Sequence, residues 1–352
     1  MAFVNDALND IEEQGGYRNR PVSWVRRGVR MTEGQEVAWQ QHGQKYLVEP
    51  PRGIARESIV PGWVLDPAQV FGTAQTPRGF ETPLVSTPRD MLRDRSTAGP
   101  ANAGPSTAGP ANAAQTQTKF VIEIGTGRGE NIVSAAAREP ETNFLGVEVY
   151  GPGLARAILL AESAGTGVPL PHLGPDIAEA VANARVAYGA VLDSATAAVG
   201  LAQNDELTSG VRSEIDDVPD DAAVTGLPNL RLIQADAPEL LDSLPENSVD
   251  EFWVFFPDPW PKTKHLKRRL IDNEFATQLA KVLKPGGIIR LATDWAHYAE
   301  QMSEVFAASS NFEPLETADG HTDRFNGRVL TAFESKGIRE GRSITDLAYR
   351  RI

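Results

Sequence analysis

Cysteine is absent from this 352-residue chain, which excludes disulfides and thiolate metal sites and fits a reducing compartment. Histidine is scarce: His42, His172, His265, His297 and His321 are scattered without paired spacing, so no protein metal site is expected. Long uncharged apolar runs are missing, and residues 1–30 carry no apolar core of signal-peptide length. These absences predict a soluble, cytoplasmic protein with no membrane partner. Basic residues are in the minority, 34 Lys and Arg against 47 Asp and Glu, for a formal net charge of −13. Taken alone, that total argues against nucleic-acid binding, because neutralising phosphates takes Lys and Arg. The acid is unevenly spread, however. From Glu162 to Asp221, eleven Asp and Glu stand against two Arg, a net of −9, so the remainder is close to neutral.

The length suits one large α/β domain or two small ones. Residues 1–85 read as an N-terminal extension with weak apolar periodicity and frequent Pro and Gly, expected to pack poorly. Within it, Arg18, Arg20, Arg26, Arg27 and Arg30 crowd around Trp24 in a basic segment, 18–30. Residues 86–118 hold a tandem repeat, RSTAGPANAG then PSTAGPANAA, whose small residues cannot bury a core and read as a linker. From Lys119 the pattern alternates. Strands are expected at Phe120–Ile124, Asn143–Val149, Leu230–Gln234, Asp250–Phe256 and Gly287–Thr293. Helices are expected at Glu130–Arg138, Leu154–Glu162, Ile271–Leu283 and Trp295–Ala307. Apolar strands alternating with helices predict an α/β domain, residues 119–352, with a mostly parallel sheet covered on both faces. An acidic insertion, 163–228, interrupts it where a connection of a few residues would suffice.

The first strand ends in Glu123-Ile124-Gly125-Thr126-Gly127-Arg128-Gly129. Gly125 and Gly127 allow a tight strand-to-helix turn and close approach of a ligand to the backbone. Glu148 ends the second strand about twenty residues later, the place from which an acid accepts hydrogen bonds from ribose hydroxyls. Asp236 follows the third strand, in reach of an adenine amino group, and Glu123 suits a cationic methionine moiety. The set fits S-adenosylmethionine better than a dinucleotide, since no pyrophosphate cradle is required; NAD is the local alternative.

After the fourth strand comes Phe255-Phe256-Pro257-Asp258-Pro259-Trp260-Pro261-Lys262. Three prolines fix the backbone, so Asp258 and Trp260 are held in set positions. Trp260 offers a face for stacking a base. Lys262, Lys264, Lys267, Arg268 and Arg269 place five positive charges in eight residues. A basic run can be a solvated turn, but this one adjoins the expected ligand crevice and points to nucleic-acid contact.

With these residues in place, the chain resembles the bacterial tRNA (guanine-N7-)-methyltransferase family. The resemblance rests on Trp24-Val25-Arg26-Arg27, Arg30-Met31-Thr32, Glu123-Ile124-Gly125 and Gly146-Val147-Glu148-Val149. It continues with Phe256-Pro257-Asp258-Pro259-Trp260, Lys267-Arg268-Arg269, Ala292-Thr293-Asp294-Trp295 and Thr331-Ala332-Phe333-Glu334. It implies a Rossmann-like class I methyltransferase with a mostly parallel seven-stranded sheet, S-adenosyl-L-methionine as cofactor, and tRNA as partner of a monomer or homodimer. The implied reaction methylates N7 of a variable-loop guanine. Glu123, Gly125, Gly127, Glu148, Asp236 and Asp258 are then cofactor residues, with Asp258 also catalytic. Lys262, Asp294, Thr331, Phe333 and Glu334 become substrate residues. Arg26, Arg27, Arg30, Lys264, Lys267, Arg268 and Arg269 are candidate RNA contacts. Asp294 as a helix N-cap and Glu334 as a surface charge are the bland alternatives. The chain departs from the family pattern in the linker, in the acidic insertion and at Ala332, where a Lys is common. Two other functions fit less closely: an exocyclic amino-methyltransferase, and a non-catalytic RNA-binding protein on the same fold.

Overall fold

The computed structural model of the chain describes residues 30–53, 58–72, 118–166 and 226–352. The readings placed on Trp24, Arg26 and Arg27, on the Ala/Gly/Pro/Ser repeat and on residues 167–225 of the acidic insertion lie outside those residues.

In chain order the elements are α1 (Glu33–Tyr46), β1 (Leu47–Val48), α2 (Pro67–Phe71), β2 (Phe120–Ile124), α3 (Glu130–Arg138) and β3 (Asn143–Glu148). Then come α4 (Gly151–Thr166), β4 (Leu230–Gln234), α5 (Ala237–Asp242), β5 (Val249–Phe255), a 3₁₀ helix (Thr263–Arg268) and α6 (Asn273–Val282). The domain closes with β6 (Leu283–Thr293), α7 (Ala296–Ala307), β7 (Phe312–Pro314), β8 (His321–Thr322), α8 (Ala332–Arg339) and β9 (Thr345–Arg351). The strands form one sheet in the order β1-β4-β3-β2-β5-β6-β9-β7, with β8 also paired to β9. Strands β1 to β6 run parallel. β9 is antiparallel to β6, β7 and β8. The five strands expected from the sequence are β2 to β6; β7 and β9 bring the sheet to the seven that the resemblance implied, and β1 and β8, two residues each and too short to leave a pattern in sequence, make nine among the described residues.

The central strands are apolar on both faces because both faces are covered. Successive residues feed opposite cores: Ile122, Leu145, Ile233 and Phe252 enter one, Val121, Phe144, Leu232 and Trp253 the other. Helices α2, α5, α6 and α7 cover the first core, and α1, α3 and α4 the second. The strand order reverses between β2 and β5, so their carboxyl ends open a crevice.

The expectation of poor packing before residue 118 does not hold for the described part of that region. Tyr46, Trp63, Leu65 and Phe71 are buried in the cores. Helix α1 hides from periodicity analysis because it docks through Ala38, Gly43 and Tyr46, small or polar-tipped residues, while a Thr32–Gln35 capping box starts it. The insertion also has narrower edges than expected. Helix α4 continues to Thr166, and Leu227 and Asn229 are fully buried. The Tyr46 hydroxyl donates to Glu162 Oε1 (2.8 Å) and accepts from the Leu227 N–H (3.2 Å), so it binds both ends of the insertion to the N-terminal helix. Gly226 lies beside it with φ +99°, where a Cβ would stand 2.0 Å from that hydroxyl.

Tyr46→Phe strips a buried acceptor and donor of their shared partner. It should lower unfolding stability by about 1–3 kcal/mol in denaturant titrations; an unchanged midpoint would show that this junction is not under load.

Candidate active site

A cleft of about 700 Å³ lies over the carboxyl ends of β2 to β5. Its floor is Ile124 at the end of β2 with Gly125 just after it, Glu148 from β3 and Asp236 after β4; its wall is drawn from the segment Phe255–Leu270. Gly125, Gly127 and Gly129 all have positive φ, which keeps the turn tight; Gly125 lines the cleft, and Gly129 packs against Ala157 of α4, where a Cβ would stand 2.3 Å from the Ala157 Cβ. The Glu148 carboxylate accepts the Gly127 N–H (2.8 Å) and the Tyr150 N–H (3.0 Å), so it fixes the glycine loop while facing the cleft. Burial raises its pKa; the backbone N–H groups oppose the shift, and the negative charge of Asp258 adds to it. Glu148 and Asp258 therefore sense each other across one cavity, and a cation between them would relieve the repulsion. An open glycine turn, a strand-end carboxylate and a second acid across the space fit the adenosine and sulfonium parts of S-adenosylmethionine.

The segment holding Asp258 is strained and braced. Phe256 and Trp260 have φ of 54° and 40°, a left-handed conformation that bulky residues avoid. The Phe256 N–H donates to the Ala292 carbonyl (2.7 Å), and Arg268 lies over the Trp260 ring at 5.0 Å. Arg269 Nε donates to the Pro259 carbonyl (2.8 Å), while its NH1 reaches Gln301 Oε1 (2.7 Å) and its guanidinium covers the Tyr298 ring at 4.6 Å. Asp258 stays exposed at the cleft between these anchors. Lys262, Lys267 and Arg268 line the same cleft; Lys264 is exposed beside it.

Two expected roles change with this geometry. Arg269 is only 3% exposed and its Nε and NH1 are engaged within the protein, so it braces the loop from a buried place at the edge of the cleft. Glu123 is 4% exposed and lies beneath the glycine turn, where it accepts from Thr126 Oγ1 (2.9 Å) and Asn131 Nδ2 (3.0 Å); it does not line the cleft. Charge in a linear run says nothing about which side chain turns inward.

The remaining expected substrate residues gather on α8 and beside it, one step from the cleft. Thr331 caps α8 by accepting the Glu334 N–H (3.2 Å). Phe333 is exposed and its ring meets Phe256 at 5.6 Å, joining the two regions. Glu334 is 1% exposed and pairs with Arg328 (2.6 Å) and Arg324 (3.2 Å), so it is not a surface charge. Arg328 also pairs with Asp346 (2.8 Å). Asp294 Oδ2 pairs with Arg342 (2.7 Å), and Trp295 rather than Asp294 occupies the N-cap position of α7. Sequence reasoning missed Arg324, Arg328, Arg342 and Asn131. The only signal of the three arginines was an excess of Arg and acid between Asp323 and Asp346, with no motif to rank them, and Asn131 gave none. Arg30 is exposed, just ahead of α1. Among the described residues no cluster of three His, Asp or Glu is arranged to hold a metal, and no helix is long and apolar enough to cross a membrane.

A family model described as "Putative methyltransferase" matches residues 117–167 and 196–347. A tRNA (guanine-N(7)-)-methyltransferase of Paenarthrobacter aurescens (strain TC1) is 30% identical over 96% of this chain and 93% of its own length. The protein of the same description from Arthrobacter sp. (strain FB24) is 29% identical over 96% of this chain and 88% of its own. One from Yersinia enterocolitica is 28% identical over 99% of both chains.

Burial lifts the Glu123 pKa from an ordinary 4.5 to about 7, against the hydrogen bonds from Thr126 and Asn131. The folded state thus holds a proton that the unfolded chain releases. Its stabilising contribution is complete below about pH 4.5 and is lost as pH rises through about 7. Glu123→Gln keeps one acceptor and removes this titration. At pH 8 the variant should be more stable than the native chain by up to about 3 kcal/mol, with the difference vanishing near pH 4. Parallel denaturation curves at all pH values would refute the buried, proton-holding Glu123.

Proposed function

Because the chain belongs to the bacterial tRNA (guanine-N7-)-methyltransferase family, we propose that it transfers a methyl group from S-adenosylmethionine to N7 of a variable-loop guanine in tRNA. The observation that carries this reading is Asp258. It stands on a braced, strained loop, facing a cleft that also holds Glu148. The cofactor supplies an activated methyl on a sulfonium. Guanine N7 has an in-plane lone pair and no proton, so none of the cleft residues needs to act as a general base. Their task is alignment, exclusion of water and electrostatics. As N7 is alkylated, positive charge grows on the guanine ring, and the Asp258 carboxylate stabilises it. Glu148 and Asp236 hold the adenosine end from the floor. Trp260 and Phe256 offer ring faces to the base, and Phe333 extends that aromatic surface toward α8. Asp294, pinned by Arg342 through Oδ2, gives its other oxygen to the N1 and N2 donors of guanine, a pair adenine lacks. Lys262, Lys264, Lys267 and Arg268 take phosphates. The acidic insertion is an accessory to this machinery, and the family model leaves residues 168–195 unmatched. The setting on this reading is the cytoplasm, where tRNA is found.

The direct test is mass spectrometry of nucleosides from unmodified tRNA treated with protein and cofactor. 7-Methylguanosine is expected; methylation confined to another base or to an exocyclic amine would replace the reading. Asp258→Ala should cut single-turnover rates by more than about a hundredfold while tRNA affinity stays within about threefold, since its role is in the transition state. Glu148→Ala should weaken cofactor binding by about 1–3 kcal/mol in calorimetry. In the native protein that affinity should fall on acidification, beginning above the usual carboxylate range, because the raised Glu148 protonates early.

A further inference from the structure

Behind the first turn of α8 lies a second concavity, of about 400 Å³. Its wall includes Thr32 and Gln35 from the start of α1, Arg128 and Glu130 from the glycine turn and α3, Arg156 from α4, and Ala332. The frame is fixed. Gln35 Nε2 donates to the Pro152 carbonyl (2.9 Å), and the Ala332 N–H donates to Glu130 Oε2 (2.9 Å). The two arginines are not used in that frame. Among the described residues neither guanidinium makes a hydrogen bond or an ion pair. They are also close enough to disturb each other. Burial lowers the Arg156 pKa first, the positive charge of Arg128 lowers it further, and Glu130 only partly offsets this. Two cations share a cavity with one carboxylate, and that carboxylate already accepts a backbone N–H. An anion is the missing charge.

The location narrows what kind of anion. Arg128 directly follows Gly127, whose N–H is held by the cleft residue Glu148 (2.8 Å). Ala332 directly precedes Phe333, whose ring meets Phe256 of the cleft wall at 5.6 Å. The concavity and the cleft are therefore separated by one helical turn and one loop. A strand that places a base in the cleft carries its neighbouring phosphates past this point. Guanidinium forks match phosphate oxygens and are weakly hydrated, which suits a contact of this kind. We propose that Arg128 and Arg156 form a phosphate site for the RNA backbone beside the methylated nucleotide, separate from the basic run at Lys262–Arg268. This rests on the reading of the chain as an RNA methyltransferase. It adds a second electrostatic footprint that the acidic total of the chain conceals.

The experiment compares the full chain with Arg128→Ala/Arg156→Ala and with Glu130→Gln, measuring tRNA affinity across a range of salt, cofactor affinity, and 7-methylguanosine formation at saturating tRNA. The double variant should bind tRNA at least about tenfold more weakly near 0.1 M salt, and its plot of log affinity against log salt should be shallower by about one to two. Cofactor affinity should not change. Glu130→Gln removes the opposing charge and should tighten tRNA binding a few-fold at low salt, a gain that fades as salt rises. A folding defect cannot produce that opposite sign. Unchanged affinity and slope in the double variant would overturn the site. So would inorganic phosphate that binds the native protein through these arginines without competing with tRNA, because the cavity would then serve a small phosphate compound. The two readings fail separately. If the native chain binds tRNA but forms no 7-methylguanosine, the methylation reading falls while a reduced slope still supports the phosphate site. If methylation proceeds and the slope is unchanged, only the site falls.

Discussion

Glu123 has almost no contact with water, yet its two oxygens reach opposite walls of the site. Oε2 accepts from Thr126 in the glycine turn, and Oε1 from Asn131 in the first turn of α3. Asn131 then accepts the Val329 N–H (3.0 Å) through its own oxygen. One buried side chain thus ties the floor of the cleft to the segment that leads into α8. Beside it, Arg138 donates to the Gly327 carbonyl (2.6 Å) and Glu130 accepts the Ala332 N–H. The placement of Phe333 and of the Arg328–Glu334–Asp346 cluster depends on those few bonds. In a low-dielectric interior a shared polar group of this kind specifies geometry, because any displacement leaves a donor or acceptor unsatisfied.

Both signs of charge share the cleft. Carboxylates line it at Glu148, Asp236 and Asp258, and Lys262, Lys267 and Arg268 line it as well. The arrangement suits a cationic cofactor together with a polyanionic substrate. It also explains how a chain with net charge −13 can favour RNA. Steering depends on the local field around the entrance and not on the net charge of the chain.

The strand run and the glycine turn were readable because parallel strands buried on both faces must be apolar throughout, and because a turn at a strand end leaves glycines at fixed offsets. The proline-rich loop was readable for a similar reason: proline limits the backbone whatever surrounds it. Arg269 was not readable. It differs from Arg268 only in the direction its side chain takes, and Tyr298 and Gln301, which receive it, are about thirty residues away in sequence. Glu334 and Asp294 carried the right chemical type, but their partners Arg328 and Arg342 came from turns without motifs. Helix α1 escaped because its contact face is built from Ala38, Gly43 and Tyr46 rather than from a stripe of large aliphatic residues.

The left-handed conformations of Phe256 and Trp260 bear on how firmly this loop holds Asp258. Each costs about 1–3 kcal/mol for a bulky residue and persists only where neighbours over-determine it. Here the neighbours come from different parts of the chain: the Ala292 carbonyl on β6 fixes Phe256, Arg269 clamps the Pro259 carbonyl, and Arg268 covers Trp260. The fold therefore holds the carboxylate at its position, and the cost of ordering the loop around it has already been met in folding. Burying Arg269 at the root of the loop is part of the same device. A buried cation thereby keeps in place the exposed carboxylate of Asp258.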